Sequence, residues 1–597
     1  METLHHNGIL VPPRYEGKGL TVKVKGNEVR LTAEQEKMAV AWAKKVGTPY
    51  VEDPVFAKNF HKDFSKKLGT KVKPGDVDFS EIIALVEQER EWKKSLPREE
   101  KKRLAAQRKA VREANKEKYG YAWVDDEKTE LANYVAEPSS IFMGRGKHPL
   151  RGRWKEGPSE EDIILNLSPD APKPEGNWKE IVWEPENIWV ARWQDKLSGK
   201  MKYVWFSDSS SFKQKKDIEK FDKAKEFSRN LPRIKRHILR NLEAEDVKRR
   251  KIATVCYLID KLKIRVGDEK DPDEADTVGA STLRKEHVKI NGDGTVSFNF
   301  LGKDSVPHIF TKKLHDKVIK NLNEFSENSE SALFNGVRSS HVSEFLDEVL
   351  TGLSAKVFRT LYASDAVEKK LEKTPVESED PAYVKKYVAK MANLEAAKVC
   401  NHKRTIPKRW KASLEKRKAR IKVLKARAKK AQTKIKTKAK EQDKRYRLRI
   451  RKQEEKLTAA MEQLEELKQK LEERKEQAKS VKGITKRVKS KRRVIARTRQ
   501  RVRDYKAKHR ALMQKQKQRL KSRKQRDKAA LEKAKLRIKL QEETRDYNLS
   551  TSLKSYIDPR IYYEWGKKVE YDWKKYYQKA LHKKFSWVEN QNNAENS

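Results

Sequence analysis

Five side chains, far apart in the sequence, carry the groups that metal-free transfer of a phosphodiester would need. In such a transfer, negative charge builds up on the non-bridging oxygens, and fixed cationic donors stabilise it. Arginine suits this role because its planar guanidinium can bond two oxygens at once. A lysine can protonate the leaving alkoxide, and a tyrosine hydroxyl can attack the phosphorus. The candidates are Arg265, Lys303, Arg359, His402 and Tyr556.

Taken singly, each candidate also has an ordinary structural explanation. Arg265 lies at the end of a predicted helix, where a cation is stabilised by the helix dipole. Lys303 lies at the tip of a predicted hairpin, where a lysine is usually exposed. Arg359 could form an ion pair, and His402 could be a hydrogen-bonded core histidine. Tyr556 is one of 19 tyrosines. The functional interpretation therefore depends on the five occurring together.

Several other chemistries lack their sequence motifs. Residues 302–305 lack the earlier glycine of a phosphate-binding loop, and no GxSxG elbow is present. The twelve histidines form no zinc-binding spacing. Cys256 and Cys400 form neither a disulfide framework nor a CxxC pair. We interpret the acidic run Asp271–Asp276 as a solvated loop rather than a divalent-ion site, so we expect neither ATP-driven work nor a metal cofactor.

The charge of the chain is concentrated in one segment. Among 597 residues, 141 Lys and Arg face 88 Asp and Glu, which gives a net charge of +53. Residues 411–540 hold 52 basic and 14 acidic side chains, a net of about +38. Such a charge favours a polyanionic partner. Apolar runs such as Met38–Ala43 are too short to cross a bilayer, and no secretory signal opens the chain, which predicts an intracellular protein.

The pattern of elements changes along the chain. Residues 1–211 alternate short strand-like stretches, such as Thr21–Lys25, with loops rich in proline and glycine. Residues 212–408 are mostly helical. Apolar residues recur with helical period over 253–264, which predicts a helix that presents Arg265 at its end. Between 283 and 306 the period becomes two, which predicts a hairpin with Lys303 at its tip.

Residues 411–540 predict a different structure. They contain no proline and a single glycine, Gly483. We predict two long helices that join near Lys479–Ile484 and fold back as an antiparallel hairpin; the alternative is a solvated charged helix without a partner. After this segment, residues 547–587 return to an aromatic-rich composition that predicts an ordered domain. Apolar residues at heptad spacing support the hairpin: Ile450, Leu457, Leu464, Leu471 and Ala478.

The five candidates and several longer strings, in this order, resemble eukaryotic-type DNA topoisomerase IB. The resemblance covers nearly the whole chain, and strings of this length are specific. The matching strings are Pro12–Tyr15, Phe142–Pro149, Glu161–Asn166, Ala275–Gly279, Leu283–His287, Phe300–Ser305 and Tyr556–Arg560.

The resemblance implies a multidomain α+β fold. Mixed N-terminal lobes would clamp duplex DNA, and a mostly helical catalytic domain of the tyrosine recombinase and topoisomerase IB type would follow. A long antiparallel coiled-coil linker would then lead to a small helical C-terminal domain that carries the nucleophile. The corresponding residues are 1–211, 212–408, 409–545 and 546–597.

The resemblance also implies a role for each candidate. Tyr556 would attack the scissile phosphate and become a 3′-phosphotyrosine. Arg265 and Arg359 would hold the non-bridging oxygens, and His402 would hydrogen-bond one of them. Lys303 would protonate the departing 5′ oxygen and contact the flanking base in the minor groove.

Further DNA contacts are implied for Arg145, Asp304 and Lys356. The implied activity is ATP-independent relaxation of supercoiled double-stranded DNA by a monomer, without an obligatory metal and with divalent cations at most stimulatory. The implied location is with DNA, in the nucleus of a eukaryote or the nucleoid of an archaeon. Because core-like sequence begins within about 15 residues, the resemblance points to an archaeal member or a shortened chain.

The match departs from the family pattern beside the nucleophile. The family motif is Ser-Lys-x-x-Tyr, whereas this chain reads Ser552-Leu-Lys-Ser-Tyr556, with the lysine one position later. Ser555 stands where many eukaryotic members have asparagine, which bears on sensitivity to camptothecin-type poisons.

Two other classes of protein share part of this pattern. A tyrosine recombinase uses similar chemistry, but it normally carries His-x-x-Arg where this chain has Lys356 and Arg359, and it lacks a long inserted hairpin. A non-enzymatic architectural protein would bind phosphates through charge alone, and it would not need Tyr556.

Overall fold

The structure, a computed structural model, describes residues 1–268 and 276–594. The first 206 residues form small sheets and four helices. The strands are β1 (Leu4–His6), β2 (Thr21–Val24), β3 (Asn27–Arg30), β4 (Val77–Asp78), β5 (Tyr121–Val124), β6 (Glu127–Glu130), β7 (Ser140–Ile141), β8 (Trp154–Lys155), β9 (Ile163–Asn166), β10 (Glu180–Val182), β11 (Trp189–Gln194) and β12 (Met201–Trp205). The helices are α1 (Ala33–Ala43), α2 (Pro54–Leu68), α3 (Ser80–Ser95) and α4 (Arg98–Tyr119).

Two separate cores hold this N-terminal region together. One lies between α1 and α2, where the ring of Trp42 stacks on that of Phe60 at 4.5 Å. The other lies against a four-stranded sheet of order β10-β9-β11-β12, in which β9 and β10 are parallel and the remaining pairs antiparallel. Leu165 of β9 pairs with Ala191 of β11, and both are fully buried. The region is mixed, as the strand-like pattern predicts.

Residues 207–404 are mostly helical around one larger core. Their elements are α5 (Ser211–Asn241), α6 (Val247–Leu262), β13 (Val288–Ile290), β14 (Thr295–Gly302), β15 (Val306–Lys313), α7 (Asp316–Glu327), α8 (Ser339–Asp347), α9 (Lys356–Glu372) and α10 (Ala382–Val399).

The helix and the hairpin that the sequence predicts beside the candidate residues are both present. The side chain of Asp246 caps the N-terminus of α6, and Lys263, in the left-handed region at φ 58°, ends it. Strands β14 and β15 pair antiparallel, with Gly302 opposite Val306. Lys303 therefore occupies the tip of the hairpin, in a short 3₁₀ turn.

Two long helices follow, α11 (Trp410–Glu476) and α12 (Lys482–Glu543). They pack antiparallel, because residues early in one contact residues late in the other: Gln432 bonds Asp527 at 3.0 Å, and Lys506 pairs with Glu454 at 2.7 Å. The predicted seam extends too far, since α11 ends before Ala478. That residue is exposed, and its φ of 54° turns the chain.

The chain then ends in four short helices, α13 (Leu549–Ser555), α14 (Pro559–Lys568), α15 (Lys579–Lys584) and α16 (Trp587–Ala594). Aromatic rings pack among them, with Tyr562 and Tyr576 at 4.7 Å, which agrees with the predicted ordered domain. The whole chain divides into two compact units: 1–378, 391–404 and 547–597 form one, and 379–390 and 405–546 form the other.

We call the first of these the catalytic unit and the second the hairpin unit. No helix within the described ranges has both the length and the apolar content that crossing a membrane requires. The architecture is therefore mixed α and β, as the sequence predicts, and the four-domain division stays a prediction.

Candidate active site

Four of the five candidate residues line one small cavity of about 90 Å³ in the catalytic unit. They come from four different parts of the chain: the end of α6, the tip of the β14–β15 hairpin, helix α9 and the turn after α10. The four are Arg265, Lys303, Arg359 and His402. The fifth, Tyr556, contacts two of these four directly.

Tyr556 ends α13, and its side chain is almost fully buried. Its hydroxyl oxygen accepts a hydrogen bond of 3.2 Å from Nη1 of Arg359, whose guanidinium carbon lies 4.7 Å from the centre of the phenol ring. The main chain is held as well, because Ser364 donates to the Tyr556 carbonyl at 3.2 Å. The phenol oxygen is therefore fixed beside a permanent cation.

Arg359 is only 4% exposed, so its charge needs partners inside the protein. Nη2 donates to the carbonyl of Cys400 at 2.7 Å and to Nε2 of His402 at 3.0 Å. Its Nε is buried and has no hydrogen-bond partner among the described residues. A guanidinium held this way keeps donors for the oxygens of an anion and needs little reorganisation to use them.

His402 is uncharged in this setting. Burial, followed by the charges of Arg359 and Arg265, lowers the pKa of its imidazole to about 3. Its Nδ1 lies 2.7 Å from Oγ of Ser552, and its ring centre is 5.3 Å from that of Tyr556. A neutral imidazole at this place can donate a hydrogen bond without adding charge.

The two exposed cations of the cavity are joined through main-chain hydrogen bonds. The carbonyl of Arg265 accepts from the amide of Ala280 at 2.8 Å, and the amide of Val278 donates to the carbonyl of Leu301 at 2.7 Å. The segment 278–280 therefore ties the end of α6 to the strand that presents Lys303.

Two glycines make this connection possible. Gly267 adopts φ +89°, and a Cβ on Gly279 would come within 2.5 Å of the Cα of Gly267. Because real Cβ atoms do not approach backbone so closely, neither position accepts a side chain without moving the segments apart. The close approach fixes where Arg265 leaves α6.

The predicted DNA-contact residues lie in different surroundings. Arg145 is exposed on a loop of the N-terminal region, and a Cβ on the adjacent Gly146 would collide with Oγ of Ser305, so this loop lies against the turn of Lys303. Lys356 is exposed at the first residue of α9.

Two other predictions fall partly or wholly outside the described structure. The side chain of Asp304 lies outside the described part, and so do residues 271–275 of the acidic run. Within 1–268 and 276–594, no group of three or more His, Cys, Asp or Glu side chains could hold a metal ion.

Three further residues that sequence reasoning missed also line the cavity. Lys263 is largely buried, which lowers the pKa of its ammonium to about 8. His308 stacks on Phe300 at 4.8 Å and accepts from Nδ2 of Asn401 at 2.9 Å; burial lowers its pKa to about 4. In the sequence, His308 could have been noticed because it is a polar residue within an apolar strand pattern. Nothing in the sequence marks Asn401 as a site residue.

Three family models match separate parts of the chain, in order along the sequence. The family model described as the DNA binding fragment of eukaryotic DNA topoisomerase I matches residues 1–206, and that of its catalytic core matches residues 209–435. A model described as the C-terminal topoisomerase domain matches residues 528–596. The candidate residues fall within these matches.

The curated proteins to which the chain is similar are named DNA topoisomerase 1. The chain is 37% identical to DNA topoisomerase 1 beta of Arabidopsis thaliana over 435 residues, which cover 71% of this chain and 47% of that protein. It is 35% identical to DNA topoisomerase 1 of Candidozyma auris over 439 residues, 71% of this chain and 58% of the relative. Thus the chain spans about half the length of these relatives.

DNA topoisomerase 1 of Homo sapiens is similar over a longer stretch. It is 30% identical over 605 aligned residues, which cover 98% of this chain and 70% of the human protein. The chain therefore belongs to the eukaryotic DNA topoisomerase I family.

Proposed function

We propose that the chain is a type IB DNA topoisomerase, which relaxes supercoiled duplex DNA without ATP. One strand would be cut and held as a 3′-phosphotyrosine, the free end would rotate, and the strand would then be rejoined. The observation that carries this proposal is the bonding of Tyr556 to the buried Arg359, with His402 on the same guanidinium. Membership of the family supports it.

In the cleavage step, Tyr556 gives its hydroxyl proton to solvent, and its oxygen attacks the scissile phosphorus. The Tyr556–phosphorus bond forms as the bond between phosphorus and the 5′ oxygen breaks. Arg359 and Arg265 meet the charge on the non-bridging oxygens, and His402 donates to one of them. Lys303 delivers a proton to the leaving 5′ oxygen.

Religation is the same step in reverse. The 5′ hydroxyl attacks the phosphorus and gives its proton to Lys303, while the bond between phosphorus and Tyr556 breaks and the tyrosine oxygen takes up a proton from solvent. One phosphoester replaces another, so the bond energy is conserved and neither ATP nor an obligatory metal is needed.

We also propose double-stranded DNA as the partner and a monomer as the active form, with DNA-associated location, nuclear in a eukaryote. Arg145, Asp304 and Lys356 would contact DNA near the cut site, and the N-terminal region 1–211 would close over the duplex. The hairpin unit would act as a coiled-coil linker and phosphate-binding arm, because its segment 411–540 has a net charge of about +38.

Relaxation of a supercoiled plasmid in EDTA without nucleotide tests the proposal. We expect relaxed topoisomers, and denaturant quenching should trap protein on the 3′ end of one strand. Peptide mapping should locate the link at Tyr556. A chain that binds the plasmid but neither relaxes it nor forms the adduct would be a DNA-binding protein, and a link through the 5′ end would exclude the type IB mechanism.

A further inference from the structure

Ser552 is a fully buried residue that no role in the proposed chemistry accounts for. It lies on α13, where its carbonyl accepts from the amide of Tyr556 at 2.9 Å. Its hydroxyl oxygen lies 2.7 Å from Nδ1 of His402. One residue therefore touches both the segment of the nucleophile and the histidine beside it.

The contacts of His402 fix which ring nitrogen carries the proton. A guanidinium can only donate, so Nε2 of His402, 3.0 Å from Nη2 of Arg359, must accept. A neutral imidazole has one protonated nitrogen, which is then Nδ1. Nδ1 donates to Oγ of Ser552, and the hydroxyl acts as the acceptor.

A bound phosphate demands the opposite arrangement. Ser552 occupies the Nδ1 side of the ring, so the nitrogen left for a ligand in the cavity is Nε2. A phosphate oxygen only accepts, so Nε2 must carry the proton, and Nδ1 must then accept. A hydroxyl can rotate from acceptor to donor, and alanine could do neither.

We propose that Ser552 is a positioning residue that holds His402 in both tautomers, by accepting from Nδ1 in the free protein and donating to Nδ1 when a phosphate is bound. One proton leaves Nδ1 for solvent and one is taken up at Nε2, so the ring gains no charge. This inference rests on the proposed function, since it assigns His402 to a non-bridging oxygen.

The main chain of His402 is anchored separately from Ser552. Its carbonyl accepts from the amide of Asn548 at 2.7 Å, and its amide donates to the carbonyl of Ala397 at 2.8 Å. Removing the hydroxyl should therefore leave the residue in place and affect the ring. Ser550, exposed on the same helix, offers a matched control.

Single-turnover cleavage of a duplex substrate tests the inference. We expect Ser552→Ala to slow cleavage and religation by about 10- to 100-fold, because a buried ring nitrogen loses its partner. DNA binding should be unchanged. Ser552→Thr, which keeps a hydroxyl, should recover most of the loss, and Ser550→Ala should match the wild type. Wild-type rates for Ser552→Ala in an active enzyme would overturn the inference, whereas an inactive wild type would overturn the proposed function.

A second background separates positioning from packing. In His402→Gln the side-chain amide donates from nitrogen whatever Ser552 does, so Ser552→Ala should cause no further loss there. An equal loss in both backgrounds would assign Ser552 a packing role only.

Nitrogen NMR of ¹⁵N-histidine-labelled protein checks the tautomer without relying on a Ser552 variant. The His402 signals are identified by their loss in His402→Gln. Nδ1 should be the protonated nitrogen in free protein, and Nε2 should be protonated in the Tyr556→Phe protein bound to duplex. The same tautomer in both states would overturn the inference.

Discussion

The catalytic unit and the hairpin unit differ in how far their charged side chains are exposed to solvent. In the catalytic unit, Arg359 and His402 are each less than a tenth exposed, and both are bonded to named partners. In the hairpin unit most cations are exposed, and few residues of α11 and α12 are buried. A cation that acts on a bond must be fixed before the reaction. A cation that attracts a polyanion from a distance must stay in solvent.

The hairpin unit is itself uneven in charge. Residues 411–451 hold 19 basic and 3 acidic side chains, whereas 452–476 hold 6 basic and 8 acidic ones. The acidic stretch faces the early part of α12, and Lys506 pairs with Glu454 at 2.7 Å. The charge counts therefore place most of the excess positive charge of the two helices away from the turn.

Removal of one tyrosine hydroxyl should have the most different effects in the two units. Tyr556→Phe should lower the rate of plasmid relaxation by on the order of 10⁴-fold or more, because it removes the nucleophile. The affinity for DNA should be unchanged. Tyr505→Phe, in the hairpin unit, should leave both unchanged. Plasmid relaxation and duplex binding measure the two effects. Covalent adducts in Tyr556→Phe would remove this residue from its proposed role.

Buried and exposed arginines should respond differently to the same change. Arg359→Lys should lower the cleavage rate by about 10²- to 10³-fold, since one ammonium cannot replace a planar group that bonds three partners. Arg503→Lys, exposed on α12, should leave the rate unchanged. Single-turnover cleavage compares them, and equal effects would contradict the distinction between fixed and solvated charge.

Removal of residues 411–540, replaced by a short Gly-Ser linker, should preserve cleavage and weaken DNA binding. The slope of log affinity against log salt should become shallower by about 0.9 for each phosphate that the shortened protein no longer neutralises. Binding titrations at several salt concentrations give this slope. An unchanged slope would show that the hairpin unit does not bind phosphates.

Acid should destabilise the catalytic unit through His402. Its pKa is about 3 when folded and about 6.5 when unfolded. Between these values the unfolded chain binds the extra proton, so the free energy of unfolding falls as pH falls, by about 2 kcal/mol at pH 5 relative to neutral pH. The contribution levels off above about pH 7.5, where the unfolded imidazole is also neutral.

Tryptophan fluorescence can follow this unfolding, because 12 of the 13 tryptophans lie in the catalytic unit and only Trp410 lies in the hairpin unit. Urea titrations at pH 7 and pH 5 should show a smaller difference for His402→Gln than for the wild type. His509→Gln, in the hairpin unit, should keep the wild-type difference. Identical pH dependence in His402→Gln would contradict the assignment.

Much of the fold was predictable where local pattern decides it. Helix α6, the β14–β15 hairpin and the two long helices follow from apolar periodicity, which needs no tertiary information. The place of the turn between α11 and α12, predicted near Lys479–Ile484, is close to the observed 477–481. The residue that makes the turn did not follow: Gly483 lies inside the first turn of α12, and Ala478 takes the left-handed conformation instead. Glycine favours such a turn but is not required for it.

The site was predictable only in part. The five candidates were found through residue type and family strings, and the structure brings them together. Ser552, His308 and Asn401 were missed as site residues, because their places depend on packing between segments more than 90 residues apart. No local period records such packing.

The close approach of Gly267 and Gly279 joins two segments that carry different cations of the cavity. Gly267 follows Arg265 by two residues, and the segment of Gly279 is hydrogen-bonded to the strand that presents Lys303. A side chain at either glycine would therefore separate the two cations as well as the two segments. The spacing of Arg265 and Lys303 thus depends on two residues that carry no functional group, and a search for residues that govern it must include positions without side chains.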